Sequence, residues 1–215
     1  MSPFSWSRSL RMAGAAMALG SVLLTGCAAP TVSTHVTSFQ RWPQGVEGQR
    51  YAFAAVPPEL ANNLEYQSYR DTMRAGLGAT GLVEATQSQP ARFTVSYQYG
   101  TTQTTIMVRQ PYDPYFYGGY GGFYGPRGWG YGGYWGPGFW GPEWIDVPAV
   151  AYRHYLNVKI DDRESGGAEV YRSSAYTLGR TDNLLRAMPY LVRAIFDGFP
   201  GNNGSERQIE YPVGR

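Results

Sequence analysis

Apolar and polar residues alternate along several stretches of this chain, and this pattern predicts strands with one apolar face. The clearest case has Phe93, Val95, Tyr97 and Tyr99 at every second position. A second pair of alternating stretches flanks a polar turn at residues 161–167, which predicts a β-hairpin. Strands are predicted at residues 31–39, 50–56, 91–105, 147–160 and 169–176.

Two other stretches repeat apolar residues at spacings of three and four, which predicts amphipathic helices. In the first helix the apolar face consists of Tyr66, Tyr69, Met73 and Leu77. Asn62 is placed to cap this helix, with Glu65 three residues later as in a capping box. Gly78 and Gly81 are placed to end it.

The second predicted helix starts near Thr181 or Asp182 and has a wide apolar stripe that includes Leu184, Met188, Leu191 and Ile195. Pro189 either kinks this helix or occupies the first turn of a shorter one. Gly198 and Pro200 are placed to end it.

The predicted order of elements is β-β-α-β-insertion-β-β-α, which is not strictly alternating and indicates an α+β fold. We expect a mixed sheet of about five strands with two helices packed on one face. The passage from the second strand through the first helix to the third strand is suited to a right-handed crossover. The expected domain covers residues 27–200, and residues 201–215 are expected to form a flexible tail.

The insertion, residues 111–144, breaks every periodicity in the chain. It contains 12 glycines and 14 aromatic residues, four of them tryptophan, but only three charged residues. Such a glycine-rich and proline-rich segment favours no regular element. It is either a passive insertion between two strands or a contact surface built from aromatic side chains. The residues proposed to contact a ligand are Trp129, Trp135, Trp140, Trp144, Tyr131 and Tyr134.

The N-terminus has the organisation of an export signal. Arg8 and Arg11 precede an apolar run at residues 12–24, which is shorter than the roughly 20 residues of a membrane-spanning helix. The run ends in Leu-Thr-Gly-Cys at residues 24–27, which resembles the signal of bacterial lipoproteins. The resemblance implies a signal peptide at residues 1–26, cleavage between Gly26 and Cys27, and fatty-acyl chains such as palmitate on Cys27.

Such a chain is expected to be held at a membrane by its lipid, because two or more acyl chains anchor a protein stably. The residue after the cysteine is Ala28 and not aspartate. By resemblance to lipoprotein sorting, this favours the outer membrane, with the domain in the periplasm.

Charge and cysteine content narrow the function classes. Both basic residues of the signal are removed with it, so residues 27–215 carry equal numbers of basic and acidic residues and no cluster suited to nucleic acid. Cys27 is the only cysteine, so the domain is expected to fold without disulfides.

Residues with catalytic or metal-binding chemistry are few. His35 and His154 lie on different predicted strands without a local ligand spacing, and ordinary strand histidines are favoured over a metal site. Asp161, Asp162 and Glu164 suit a hairpin turn better than a calcium loop, whose signature is absent. No nucleophile motif is present either. The chain is therefore expected to be non-catalytic and to need no cofactor or metal.

Several motifs in order resemble the DUF4136 family of bacterial lipoproteins, whose function is unknown. They are the lipoprotein signal followed by a strand, Arg50-Tyr51-Ala52-Phe53, the helix that ends in Gly81-Leu82, the turn from Ile160 to Gly166 followed by Val170-Tyr171-Arg172, and the closing run from Ile195 to Pro200. Tyr171 stands where the family pattern has tryptophan. The resemblance implies a compact α+β lipoprotein domain and supplies no catalytic residues.

Three functions remain open from the sequence. The first is a non-catalytic structural or interaction module of the cell envelope, with residues 111–144 as its contact surface and an envelope protein as partner. The second is a carbohydrate-binding module in which envelope glycan stacks on the tryptophans. The third is a hydrolase with a dispersed site.

Overall fold

A computed structural model describes residues 30–86, 88–111 and 144–213. The described residues between 33 and 209 form one compact unit. A second unit includes residues 30–32 and 210–213, where the Val213 amide donates to the Pro30 carbonyl over 2.9 Å. The strands are β1 (Thr31–Gln40), β2 (Arg50–Phe53), β3 (Val83–Glu84), β4 (Phe93–Pro111), β5 (Trp144–Asp162), β6 (Ala168–Gly179) and β7 (Ser205–Pro212). The helices are α1 (Pro58–Ala61), α2 (Leu64–Gly78) and α3 (Leu184–Phe196).

The strands form one mixed sheet in the order β3-β2-β4-β5-β6-β1-β7. β2 pairs in parallel with both β3 and β4. The pairs β4–β5, β5–β6 and β6–β1 are antiparallel. A short 3-10 turn, Arg163–Ser165, joins β5 to β6, so the predicted hairpin is present. The fold therefore mixes helices and strands as predicted, with a sheet of both parallel and antiparallel pairs.

The sheet is larger than the five strands predicted, because β3 and β7 were not expected. β3 has only two residues, too few to produce a periodic signal. β7 lies in the expected flexible tail, and the structure replaces that expectation with a strand over residues 205–212. Its alternation involves mainly polar residues, so hydrophobic patterning does not mark it.

Helix α2 confirms the predicted apolar face, since Tyr66, Tyr69, Met73 and Leu77 are its buried residues. Tyr66 stacks on Tyr97 of β4 with ring centroids 5.7 Å apart. The same face of the sheet contacts α3, where the Tyr171 hydroxyl donates to the Ile195 carbonyl over 2.7 Å. Burial of these rings and side chains contributes to the hydrophobic stabilisation of the fold.

Both helix starts differ slightly from the prediction. The side chain of Asn63, not Asn62, caps α2 by accepting from the Tyr66 amide. Helix α3 begins at Leu184 with Asn183 as its cap, later than Thr181 or Asp182. Pro189 is the sixth residue of α3, inside the helix and not in its first turn. Among the described helices, none has the length and apolar character needed to cross a membrane.

Candidate functional site

The ends of β4 and β5 next to the insertion form a two-stranded ribbon, defined here as residues 104–111 and 144–151. The two segments pair in continuous antiparallel register from Thr104 with Ala151 to Pro111 with Trp144. β6 pairs with β5 only as far as Tyr152, and β2 pairs with β4 only as far as Val95. Within the described residues, no third strand supports the ribbon.

The ribbon exposes large apolar side chains. Met107 is 64% exposed, Trp144 52%, Val150 55% and Val108 39%. Directly opposite residues of an antiparallel pair point to the same face, so Met107, Trp144 and Val150 share one face of the ribbon. Grouped exposure of this kind is typical of an interaction surface, whereas single exposed apolar residues are ordinary.

Trp144 is the only predicted contact residue among those that the structure describes. It is the first residue of β5 and lies opposite Pro111, the last residue of β4. Trp129, Trp135, Trp140, Tyr131 and Tyr134 lie outside the described residues, as do Gly26 and Cys27. The described ribbon thus begins and ends where the aromatic insertion leaves and rejoins the sheet.

His154 lies near the base of the ribbon and is only 3% exposed. Its Nδ1 is 2.8 Å from the Thr101 hydroxyl, and its Nε2 is 3.0 Å from the Thr181 carbonyl. A carbonyl only accepts, so Nε2 carries the hydrogen of the neutral ring and Nδ1 accepts from the hydroxyl. Burial lowers the pKa of His154 below its ordinary value. His154 therefore ties β5 to β4 through Nδ1 and to the segment that precedes α3 through Nε2.

His35 occupies a different environment. Its ring stacks on the Tyr176 ring with centroids 4.8 Å apart. The Arg153 guanidinium also lies over the Tyr176 ring. The register pairs His154 with Thr177 and Thr177 with Thr34, which puts His35 on the opposite face of the sheet from His154. The two histidines are not brought together.

Asp162 is fully buried and organises the β5–β6 turn. Its carboxylate accepts from Arg92 Nε at 3.1 Å and from Arg92 Nη2 at 2.8 Å. It also accepts from the Glu164 amide and the Ser165 hydroxyl. Hydrogen bonds from Arg92 hold the pKa of this carboxyl below its usual range. The acidic cluster of the sequence is thus a turn held by an arginine, the interpretation favoured above.

A polar array occupies the sheet face away from α2 and α3, and the sequence analysis did not single it out. In the register, Ser96, Lys159 and Arg172 form one row, and Gln98, Asn157 and Ser174 form the next. The Lys159 ammonium is 2.8 Å from Asp161, and Arg172 is bonded to Glu169. Alternation with the buried Val158 and Ile160 could have assigned these residues to this face, but only strand order brings the rows together.

A cavity of about 520 Å³ adjoins this array where the chain leaves β2. Ala54, Ala55 and Val56 form one wall, and residues 95–98 of β4 form another. Both nearby cations are already paired with carboxylates, so the cavity carries no unpaired charge. Across residues 30–86, 88–111 and 144–213, no group of three or more potential ligand side chains is arranged to hold a metal ion.

The fold and the ribbon define an α/β domain with a seven-stranded mixed sheet whose central hairpin extends as a paired arm. The model of a protein family described as a domain of unknown function, DUF4136, matches residues 35–201. The chain belongs to this family, as the motif resemblance predicted. No protein with a curated description matches the chain.

Solved structures show only distant likeness. A PDZ domain protein from Parabacteroides distasonis is 10% identical, with 93% of this chain and 42% of that chain covered and a TM-score of 0.49. This chain therefore spans less than half the length of that protein. A PelC dodecamer from Paraburkholderia phytofirmans is 11% identical, with 79% and 99% covered and a TM-score of 0.38. A PelC variant from the same organism is 16% identical, with 75% and 93% covered and a TM-score of 0.34. With similarity this low, none of these structures informs the function of this chain.

Proposed function

We propose that this protein is a non-catalytic interaction module of the bacterial envelope, anchored to the periplasmic side of the outer membrane by lipid on Cys27. Its contact surface is the ribbon together with the aromatic insertion that connects its strands. The partner is an envelope protein. The observation that carries this proposal is the exposure of Met107, Trp144 and Val150 on one face of an arm with two strands.

The described chemistry supports a binding role. Trp144 offers a broad apolar surface and an indole N–H, a combination that is enriched at protein interfaces. The buried titratable groups Asp162 and His154 are bonded to Arg92, to turn groups and to Thr181, which are structural contacts. Their observed roles are therefore to hold backbone segments in place.

The test is a pull-down from detergent-solubilised envelope with the full lipoprotein. In one variant, Asn-Gly replaces residues 111–144; Gln110 and Ile145 lie directly opposite and direct their backbone groups at each other, so a two-residue turn can close the ribbon. A second variant is Trp144→Ala, with Leu178→Ala as the matched control because Leu178 is 49% exposed on β6. We expect the amount of partner recovered to fall at least about tenfold in both ribbon variants and to stay unchanged in the control. Equal recovery from all variants, with unchanged circular dichroism, would reject the ribbon as the contact surface.

A second candidate is carbohydrate binding, favoured by the half-exposed indole of Trp144 at the edge of the insertion. Aromatic faces pack against the apolar faces of sugar rings. Soluble envelope glycans are then expected to change the tryptophan fluorescence of the intact protein, and the change is expected to weaken in Trp144→Ala. A protein partner without any glycan response would favour the first proposal.

A further inference from the structure

The outer edge of β4 is long, regular and unpaired over most of its length. The Ala54 amide donates to the Val95 carbonyl over 2.8 Å, and there the pairing with β2 ends. The chain then reaches Pro57 and Pro58, whose missing amide hydrogens and fixed φ end the strand. In the described part of the chain, no strand pairs with this edge beyond Val95.

Parity along β4 shows which backbone groups face outward. Val95 directs its carbonyl outward to Ala54, whereas Arg92 directs its carbonyl inward to the Arg163 amide. The register with β5 runs without interruption from Phe93 to Pro111, so odd-numbered residues keep facing outward. Tyr97 is the first of these residues whose outward-facing backbone amide and carbonyl have no partner strand among the described residues. Pro111 has no amide hydrogen, so the usable edge ends at Arg109.

The two edges of the ribbon differ, because proline and charge interrupt the β5 edge but stand only at the end of the β4 edge, at Arg109 and Pro111. By the same parity, Pro148 and Asp146 of β5 lie at the outward positions beyond the end of β6. Proline and charge at such positions are the usual devices that prevent strands from adding to an edge. Between Tyr97 and Arg109 the β4 edge has neither, apart from the charge of Arg109 at its end.

We propose that β4 pairs antiparallel with β4 of a second copy of this chain, with the twofold axis at Gln103. Gln103 is midway between Val95, where β2 stops, and Pro111, so this register uses the whole free edge. An antiparallel pair also separates the two Arg109 side chains by roughly 40 Å, since a strand advances about 3.4 Å per residue.

The residues brought opposite one another in this register are complementary. Tyr97, whose ring stacks on Tyr66, lies opposite Arg109 of the second copy. Tyr99 faces Met107, an aromatic–sulfur pair. Thr101 faces Thr105, and threonine pairs stabilise adjacent strands. Moving the axis to Thr101 or Thr105 loses the tyrosine–arginine and tyrosine–methionine pairs together.

This pairing uses the strand edge and does not rest on the proposed envelope partner, which contacts the side-chain faces of the ribbon. A protein that stays monomeric yet still recovers an envelope partner would overturn the pairing alone. Two copies joined through β4 would present two aromatic insertions, one from each end of the joined edge.

The first experiment is cross-linking of the full lipoprotein in detergent with a short bis-maleimide. Gln103→Cys places a single added thiol at the axis, and wild type reports any reaction of Cys27 itself. Leu178→Cys is the control, because this exposed residue lies on β6 away from the edge. We expect at least tenfold more cross-linked dimer from Gln103→Cys than from Leu178→Cys. Equal yields, or cross-links of Gln103→Cys only to other envelope proteins, would overturn the proposal.

The second experiment removes one outward hydrogen-bond donor. Thr105→Pro deletes an amide hydrogen that faces the second copy and leaves the β4–β5 ladder intact, whereas Thr105→Val keeps the donor and is the matched control. Light scattering is expected to give a dimer for wild type and Thr105→Val and a monomer for Thr105→Pro, with matching circular dichroism for all three. A dimeric, folded Thr105→Pro would rule out edge pairing at this position.

Discussion

At the scale of single residues, Asp162 and His154 illustrate how burial turns reactive side chains into structural ones. Asp162 is completely buried, and both of its carboxylate oxygens accept from Arg92 and from the turn that follows. Removing one partner of such a buried pair is strongly destabilising, because the other charge is left uncompensated. Sequence spacing correctly favoured a turn for this cluster, but Arg92 lies 70 residues away and no local pattern connects the two.

The lowered pKa of His154 makes the stability of the fold depend on pH in a defined direction. The folded ring binds a proton less readily than the unfolded chain, whose histidine value is 6.5. Its contribution is therefore complete above pH 6.5 and is lost as the pH falls through 6.5 toward the folded pKa. We expect His154→Gln to flatten this decline, measured as the free energy of unfolding in urea across the range.

The variants are compared by how steeply the free energy of unfolding changes with pH. Absolute stabilities are not compared, because glutamine changes the stability by itself. His35→Gln is the matched control, because it removes the other histidine of the chain from the opposite face. An undiminished decline in His154→Gln would show that another group causes the pH dependence.

At the scale of elements, α2 and α3 approach each other closely at Gly76. A β-carbon added there would lie 2.9 Å from Phe196 Cδ2 and closer still to Val192 Cγ1. Glycine is the residue that permits this approach, although it lowers helix propensity by about 1 kcal/mol relative to alanine. From the sequence, Gly76 is recognisable only as a residue of low helix propensity. No local pattern indicates that α3 packs against it.

We expect Gly76→Ala to lower the free energy of unfolding by about 1–2 kcal/mol, because overpacking exceeds the gain in helix propensity. Gly78→Ala is the matched control in the same helix, since nothing lies within 4 Å of its added β-carbon. It is expected to be neutral or to stabilise by up to about 1 kcal/mol. Urea denaturation of both variants measures the difference. A Gly76→Ala variant as stable as Gly78→Ala would mean that the helices separate easily.

At the scale of the whole molecule, the sheet joins segments that are far apart in the chain. β4 and β5 form the long antiparallel pair near the centre of the sheet, and residues 112–143 connect them in the chain. The resulting arm has two unlike edges, one interrupted by Pro148 and Asp146 and one with charge and proline only at its end, at Arg109 and Pro111. The proposals for an envelope contact and for self-pairing both depend on this arm, through its faces and its β4 edge respectively.

Membrane attachment is the prediction that concerns the complete protein. We expect Cys27→Ala to abolish incorporation of labelled palmitate and to move the protein from the membrane fraction to the periplasmic one, because the proposed anchor is the set of acyl chains on Cys27. Ala28→Ser is the control and is expected to remain labelled and membrane-bound. Retention of Cys27→Ala in the membrane fraction would require a different anchor.

The sequence by itself determined the features that depend on local periodicity and local motifs. These include the apolar face of α2, the alternation along β4, the β5–β6 hairpin and the family. Such features can be predicted from one segment alone, because the backbone geometry of a strand or helix fixes which residues, two, three or four positions apart, share a face. Helix starts were less well determined, because Asn62 and Asn63 are equally good caps until packing selects one.

Only the tertiary structure decided the features that join distant segments. β3 is too short and β7 too polar for hydrophobic patterning to detect, so their places in the sheet depend on the strands beside them. The polar array of Lys159 and Arg172 and the free edge of β4 likewise exist only because strand order and register are set. Pairing between distant strands is a non-local interaction, so the residues of one segment alone do not specify it.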